Sequence, residues 1–263
     1  MVWDRPETYF GGWSAIEVLP GGARFIAIGD NAQVFEGAFE RAGGAMTGVA
    51  RAPVGGLSAT DGVAYFRKNA ADLTDSEGLA LLPGGGFAVS FERVPRVMIY
   101  RDGALPERLE LPREAMSTAE NGGVEALAVD PASRLVAVPE TPPAGTDGLP
   151  VWRQTGAGWE TVGTLASSRG FRPVGADFDP AGRLFLLERA FRGVGFQSRV
   201  RIFDLDAFDP DGVPVWGSAT GAYDNLEGIS VWQAADGLRV TMISDDNYNW
   251  FQRTEIVEFR LTD

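Results

Sequence analysis

The sequence contains no cysteine and no histidine, and its only lysine is Lys68. Without cysteine there can be no disulfide, no thiolate nucleophile and no iron–sulfur cluster. Without histidine the chain cannot form a Ser-His-Asp triad, an HExxH zinc site or a haem centre with a histidine ligand. Any catalytic site must therefore rely on carboxylates, arginine, tyrosine, Lys68 or a metal ion held by oxygen atoms.

Positive charge and long apolar runs are also scarce. The 23 basic residues are outnumbered by 36 acidic ones, which gives a formal net charge of -13 at pH 7. This balance argues against nucleic acid or an anionic membrane as a partner and favours a cation. No apolar stretch of about 18 residues is present, so membrane insertion is not expected. Asp4 and Glu7 stand where an export signal would be basic and then apolar, so we expect such a signal to be absent from this sequence.

A module of two short strands joined by a turn occurs five times along the chain. The copies cover residues 14–30, 77–92, 125–140, 174–188 and 227–245. Apolar residues alternate with a period of two in the first strand of the module, which indicates β-structure. The copies begin roughly 50 to 60 residues apart, close to the length of one four-stranded propeller blade. The sequence predicts an all-β protein, a β-propeller, that forms a single domain over residues 1–263.

The spacing favours five blades over six. A sixth, degenerate blade would have to lie in the long first interval, around residues 55–69. The last module lacks an outer strand, and residues 2–10 precede the first module with no strand of their own to pair with. We therefore predict that the N- and C-terminal strands pair and close the ring, which hides the edges of the sheets. We expect a monomer.

Carboxylates recur at equivalent positions of the modules. The second strand ends on an acid in every copy, and three copies also begin with one. The first strand of each propeller blade lines the central channel, so these acids are predicted to surround one end of it. Asp246 follows one of them directly, and Asp177 takes a position that is apolar in the preceding module. The candidate metal ligands are Asp30, Glu77, Glu92, Glu125, Glu140, Asp177, Glu188, Glu227, Asp245 and Asp246.

Carboxylates held close together repel one another and must take up protons, pair with arginine or bind a cation. Calcium is the cation that fits, because it takes six to eight oxygen ligands and needs neither histidine nor cysteine. The alternative is that the acids are neutralised by Arg93, Arg189 and Arg253. We predict bound Ca²⁺ and keep the arginine pairing as the competing interpretation.

Several segments, in this order, resemble one family of bacterial proteins. They are FGGWSAIEVLPGG, DSEGLALLPGGGFAVSFER, NGGVEALAVDP, PVGADFDPAGRLFLLER, NLEGISVW and ISDDNYNWFQRTEIVEFRL. The chain is similar to the phytase-like family, also described as "esterase-like activity of phytase". The resemblance implies a β-propeller, usually exported, that is distantly related to calcium-dependent propeller phytases. Those enzymes also use lysine and arginine to bind phosphate, and this chain departs from that pattern by keeping a single lysine.

We hypothesise a Ca²⁺-dependent hydrolase of phosphoric esters that acts on a small anionic substrate. The residues expected to take part in catalysis are Glu77, Glu227, Arg189 and Arg253. Two alternatives remain: a non-catalytic propeller that calcium stabilises and that binds a partner or small ligand, and a lactone or sugar-ester hydrolase. The resemblance implies a periplasmic or secreted location.

Overall fold

The computed structural model describes residues 1–7, 10–65, 68, 71–117, 123–166, 168 and 170–262. These residues form five antiparallel sheets, one for each sequence module. The first blade contains β1 (Trp13–Val18), β2 (Arg24–Gly29), β3 (Gln33–Ala42) and β4 (Ala45–Val49), with β5 (Val54–Gly56) also paired to β3. The second contains β6 (Ser76–Leu81), β7 (Phe87–Phe91), β8 (Arg96–Tyr100) and β9 (Glu107–Leu109).

The other three blades repeat this meander. The third contains β10 (Val124–Val129), β11 (Leu135–Pro139), β12 (Leu149–Thr155) and β13 (Gly158–Leu165). The fourth contains β14 (Arg172–Phe178), β15 (Leu184–Phe191), β16 (Phe196–Phe203) and β17 (Val213–Gly217). The fifth contains β18 (Asn225–Ala234), β19 (Gly237–Asp245) and β20 (Ile256–Arg260). Two short 3₁₀ helices, Ala71–Leu73 and Arg113–Ser117, are the helices of the described residues, and neither could cross a membrane.

The five sheets confirm the predicted five-bladed β-propeller. The first strands β1, β6, β10, β14 and β18 contact one another in a ring around the central channel. The interval that might have held a sixth blade instead contributes β5 to the first blade, although residues 66, 67, 69 and 70 lie outside the described residues. The protein is therefore a ring of five similar sheets around one axis.

The hydrophobic core lies between neighbouring blades. Val136 and Val138 of β11 pack with Leu184 and Leu186 of β15, and all four side chains are fully buried. Burying an aliphatic side chain of this size contributes about 1.5–3 kcal/mol. The alternating apolar residues of each module thus supply one face to each neighbouring blade, so a blade depends on both neighbours for its stability.

The ring closes through the ends of the chain, as predicted. Val2 forms an antiparallel bridge with Glu255. The Trp3 amide donates to the carbonyl of Thr254, and the Ile256 amide donates to the carbonyl of Met1, both at 2.8 Å. Residues 1–3 thereby complete the outer edge of the fifth blade, beside β20.

Every first strand is interrupted near its start by a β-bulge. The pairing register with the second strand shifts between Trp13 and Ala15 in β1 and at the corresponding point of β6, β10, β14 and β18. A bulge leaves one residue unpaired and changes the direction of its side chain. Small residues after the bulge let the inner strands approach: a Cβ on Gly78 would lie 2.6 Å from the carbonyl oxygen of Glu125. This shared irregularity controls which side chains face the channel.

Candidate functional site

Two sets of equivalent residues meet at one end of the central channel, which we call the mouth. The first set is the residue in the bulge of each first strand: Ser14, Glu77, Glu125, Val174 and Glu227. The second set ends or follows the paired part of each second strand: Asp30, Glu92, Glu140, Arg189 and Asp245. The predicted gathering of acids from different blades is therefore present in the structure.

Three carboxylates of the second blade form the tightest cluster at the mouth. Asp75, Glu77 and Glu92 each offer an oxygen, and these three oxygens all lie within 4.8 Å of one another. All three side chains are half-buried. Within the described ranges, one of them has an arginine partner: Arg93 Nε donates to Asp75 at 2.8 Å. Three hard oxygen donors at this separation match the donor set that calcium takes in proteins.

The acids at the axis strongly influence one another's ionisation. Burial and the negative charges of Glu125, Glu227 and Asp75 raise the pKa of Glu77 well above its usual range. Burial and the charge of Glu140 do the same for the pKa of Glu125, although Arg189 opposes the shift. Among the described residues, no hydrogen-bond donor or arginine contacts either carboxylate. Glu77 and Glu125 therefore have no hydrogen-bond or ion-pair partner within the part of the protein that the structure describes.

Arg189 brings a positive charge among the acids of the mouth. Its guanidinium donates to Glu227 and to the side-chain oxygen of Asn225, and it lies 3.6 Å from Glu140. Burial disfavours the charged form, but the carboxylates of Glu227, Glu125 and Glu140 outweigh it and raise the arginine's pKa. A permanent positive charge thus sits on the fourth-blade side of the mouth.

The fifth blade contributes a carboxylate that is nearly buried. Burial and the charge of Glu227 raise the pKa of Asp245 to about 9, even though the Asn247 amide donates to it at 2.7 Å. On the first blade, burial and the charge of Asp75 raise the pKa of Asp30 to about 7. Asp246 differs, because it accepts hydrogen bonds from the amides of Gly12 and Tyr248, both at 3.0 Å. Asp246 lies at the rim of the mouth with its donors already in place.

Three predicted acids have arginine partners, as the competing interpretation requires: Glu140, Glu188 and Glu227. Glu140 pairs with Arg172 at 3.0 Å in addition to its contact with Arg189. Arg253 lies 3.3 Å from Glu255 and is half exposed. Among the described residues, arginine pairing therefore does not account for Glu77, Glu92 and Glu125.

The structure separates Glu188 from the mouth. Its carboxylate is buried in the fourth blade, where Arg199 and Arg201 each donate two hydrogen bonds to it, at 2.6–3.0 Å. Side chains of successive strand residues point to opposite faces, so the mouth position of this blade belongs to Arg189, one residue later. Arg189 follows the proline in the turn of its module by nine residues, as Glu140 does in the preceding module, and this count was the signal that the sequence analysis did not use.

Asp177 is also separated from the mouth, because it lies near the other end of β14. Its carboxylate accepts hydrogen bonds from the amides of Val231 at 2.6 Å and Phe178 at 2.7 Å. Ser230 Oγ bridges it to Glu17 Oε2, at 3.4 and 3.0 Å. Asp177 is the third residue after the bulge residue Val174, which places it about 10 Å farther along the strand. The predicted set of metal ligands is therefore reduced by Glu188 and Asp177, and Asp75 is added to it.

Comparison with solved structures shows the same architecture. The PQQ-bound aldose sugar dehydrogenase from Streptomyces coelicolor is similar, with 13% identity, a TM-score of 0.52 and 98% of both chains covered. A luciferin-regenerating enzyme is similar too, with 10% identity, a TM-score of 0.50 and coverage of 96% of this chain and 93% of that one. At such low identity the likeness shows the fold alone. No curated protein sequence matches the chain.

The family comparison is more specific than the structural one. The family model described as "Phytase-like: Esterase-like activity of phytase" matches residues 8–248, which take in the first four blades, β18 and β19 of the fifth blade, and the mouth. The resemblance drawn from the sequence segments is thereby confirmed. The chain belongs to the phytase-like family of esterase-like proteins.

Proposed function

We propose that the protein is a Ca²⁺-dependent hydrolase of phosphoric esters whose active site is the mouth. The observation that supports this most directly is the placement of opposite charges within one small opening. Asp75, Glu77 and Glu92 concentrate negative oxygens on the second blade, while Arg189 of the fourth blade holds a fixed positive charge. An ester with an anionic phosphoryl group needs both a cation to offset its charge and a donor to orient it.

The residues of the mouth fit calcium better than other common metals. Their donors are carboxylate oxygens, whereas zinc and copper sites usually draw on imidazole or thiolate, which this chain lacks. Asp75, Glu77 and Glu92 would hold the ion, and Glu125 lies close enough for its charge to affect Glu77. When bound, the ion would offset the substrate's negative charge and lower the pKa of a coordinated water.

The protein's own side chains would orient the substrate. Arg189 is held by Glu227 and Asn225, and Asn225 also donates to Glu227 at 2.8 Å, so the guanidinium cannot swing freely. A guanidinium fixed in this way can donate its remaining N–H groups to two phosphoryl oxygens. Glu227 would act as a positioning residue, since it contacts Arg189. Arg253 is not assigned this role, because the carboxylates beside it are those of Glu255 and Asp224 and not those of the mouth.

The proposal is tested by hydrolysis assays with p-nitrophenyl phosphate, p-nitrophenyl acetate and a lactone, each with added Ca²⁺ and with chelator. We expect phosphate-ester turnover that requires Ca²⁺ and falls at least 100-fold in Glu77→Gln. Glu36→Gln is the matched control, because Glu36 is an exposed acid of the first blade. Its turnover should equal that of the wild type.

Other outcomes would overturn the proposal and select an alternative. Turnover of the lactone or carboxyl ester alone would identify a different ester class. A rise in melting temperature with Ca²⁺ but no turnover of any ester would identify a calcium-stabilised binding propeller. Phosphate-ester turnover that is insensitive to chelator and to Glu77→Gln would show that the mouth is not the active site.

A further inference from the structure

A groove lined by aromatic rings lies directly beside the mouth. Its cavity of about 520 Å³ is formed by the start of the chain and by the loop between β19 and β20. We call it the aromatic groove and define it by Trp3, Phe10, Asp246, Tyr248, Trp250 and Arg253. Trp3 and Phe10 form its buried floor, where their rings meet edge to face at 4.7 Å.

The loop that carries the groove is anchored to the mouth. Tyr248 Oη accepts hydrogen bonds from the side-chain amides of Gln33 at 2.7 Å and Asn31 at 3.1 Å, and it lies 3.5 Å from Asp30. A Cβ on Gly12 would approach the Tyr248 ring to 2.6 Å, so the ring rests directly on the backbone there. The groove and the mouth therefore share one wall, made of Asp246 and Tyr248.

The loop reverses direction in a tight turn over residues 246–249. Asn247 and Tyr248 both adopt left-handed conformations, with φ of 47° and 51°, and the Asn249 amide donates to the Asp246 carbonyl at 2.7 Å, as in a type I′ turn. Tyrosine is an uncommon residue in this conformation, which costs free energy. The turn places Tyr248 over the mouth.

Beyond the turn at Asn247 and Tyr248, the loop presents two aromatic rings to solvent. Trp250 is 95% exposed and Phe251 is 65% exposed, and their rings meet edge to face at 5.7 Å. Adjacent exposed aromatic side chains of this size contribute little to folding and usually mark a binding surface. Arg253, half exposed on the same groove, adds a positive charge that suits an anionic ligand.

We propose that the aromatic groove binds a ring-shaped leaving group of the ester substrate, with the flat apolar face of the ring stacked on Trp250. This inference rests on the proposed function, because it takes the mouth as the place where the phosphoryl group is bound. The groove continues from the mouth through Asp246 and Tyr248, so a substrate held at the mouth can extend into it. Substrates without a ring would use the mouth alone.

Turnover measurements with three phosphate esters test the inference: p-nitrophenyl phosphate, a hexose phosphate and glycerol phosphate, which has no ring. In Trp250→Ala we expect KM to rise about 3- to 10-fold for ring-bearing esters, the size of one aromatic stacking contact, and to stay unchanged for glycerol phosphate. An effect on only one ring-bearing ester would identify whether the ring is aryl or sugar. Phe191→Ala is the matched control, because Phe191 is 65% exposed and ends β15 of the fourth blade. It should change none of these values.

Binding measurements separate failure of this inference from failure of the proposed function. Phenylphosphonate and methylphosphonate cannot be hydrolysed as esters, and their binding to the wild type and to Trp250→Ala can be measured by isothermal titration calorimetry, which does not depend on Trp250 as a reporter. Preference for phenylphosphonate that is lost in Trp250→Ala supports the groove even if no ester is turned over. Equal binding by the wild type and Trp250→Ala, no binding of either phosphonate, or a change in oligomeric state on removing Trp250 would overturn the inference.

Discussion

The mouth and the opposite end of the channel both hold carboxylates near the axis, but they differ in the donors available. At the opposite end Glu17 and Asp177 share Ser230, and two backbone amides donate to Asp177. At the mouth no donor of the described residues contacts Glu77 or Glu125. A carboxylate that accepts hydrogen bonds from the protein can stay buried and contribute to the fold. Neighbouring carboxylates without such donors must take up protons or bind a cation to offset their charge.

The bulge explains part of this difference. The amide beside Glu77, that of Gly78, donates to Ser90 Oγ at 2.9 Å, so it is not available to the carboxylate. At the opposite end the strand β18 is regular, and the Val231 amide points across to Asp177. The same local irregularity that turns glutamates toward the axis therefore also deprives them of hydrogen bonds.

The largest loss of stability is expected when an arginine donor is removed from a buried carboxylate that has its hydrogen bonds. Arg201→Met leaves the buried Glu188 with Arg199 as its remaining arginine partner, and we expect a loss of about 3–5 kcal/mol in the free energy of unfolding. Urea denaturation measures this loss, which added calcium should not restore. Arg24→Met, which removes an exposed pair with Glu36 at 3.4 Å, should cost less than about 1 kcal/mol. Equal effects of the two variants would contradict the contrast.

Calcium is expected to stabilise the protein through the acids of the mouth and not through those at the opposite end of the channel. At a concentration about 100 times its dissociation constant, a ligand adds about 2.7 kcal/mol to the stability of the folded state. For a protein of this size we expect a rise in melting temperature of roughly 5–10 °C, reversed by chelator. Calorimetry of Glu77→Gln should show no such rise, whereas Glu17→Gln should keep it. A full response in Glu77→Gln would place the ion elsewhere.

The close approach of strands at the bulge can be tested with a single methyl group. Gly78→Ala would bring a Cβ within 2.6 Å of both Ser90 Oγ and the Glu125 carbonyl oxygen. We expect a destabilisation of about 1–3 kcal/mol, together with weaker calcium binding, because the inner strands must move apart. Gly156→Ala is the control, since nothing lies within 4 Å of the added atom. Melting temperatures and calcium titrations of both variants measure the expected losses of stability and of calcium binding.

The smallest expected effect concerns pH at the opposite end of the channel. Burial raises the pKa of Asp177 to about 7, and burial together with the Asp177 charge raises that of Glu17 well above its usual range; Asp179 adds a further negative charge. The folded protein thus binds more protons than the unfolded chain above about pH 4, so this pair's contribution to stability falls as pH rises toward and beyond 7. Glu17→Gln removes the repulsion.

We expect Glu17→Gln to be more stable than the wild type by about 1–2 kcal/mol at pH 8, with the difference shrinking toward pH 5. Urea denaturation at a series of pH values, in chelator, measures the difference between the two proteins. A constant difference across this range would show that the pair does not titrate as described.

Much of the fold could be predicted from the sequence because each blade repeats a local pattern. Alternating apolar residues specify the strands, turn prolines mark their connections, and the interval between modules matches one blade. The placement of acids at the mouth followed from the same repetition for Glu77, Glu125 and Glu227. Matching the modules on their closing acids instead of on their turns concealed a shift of one residue, which places Arg189 instead of Glu188 at the mouth position.

Contacts between distant segments were beyond sequence reasoning. Glu17 and Ser230 are 213 residues apart, and nothing in either segment indicates that they meet. Asp75 was not predicted as a neighbour of Glu92, because their proximity depends on the bulge in β6. Such pairs are set by how blades assemble around the axis rather than by local preference.

Arg189 also breaks the rotational symmetry of the mouth. Five identical acids around an axis would produce a field with no preferred direction across the opening. One guanidinium in the fourth blade, facing three clustered carboxylates of the second, gives the opening a transverse electric field. A dipolar ligand that enters along the axis is oriented by that field before it contacts the protein. One arginine in place of an acid therefore gives the nearly symmetric mouth a preferred direction for binding.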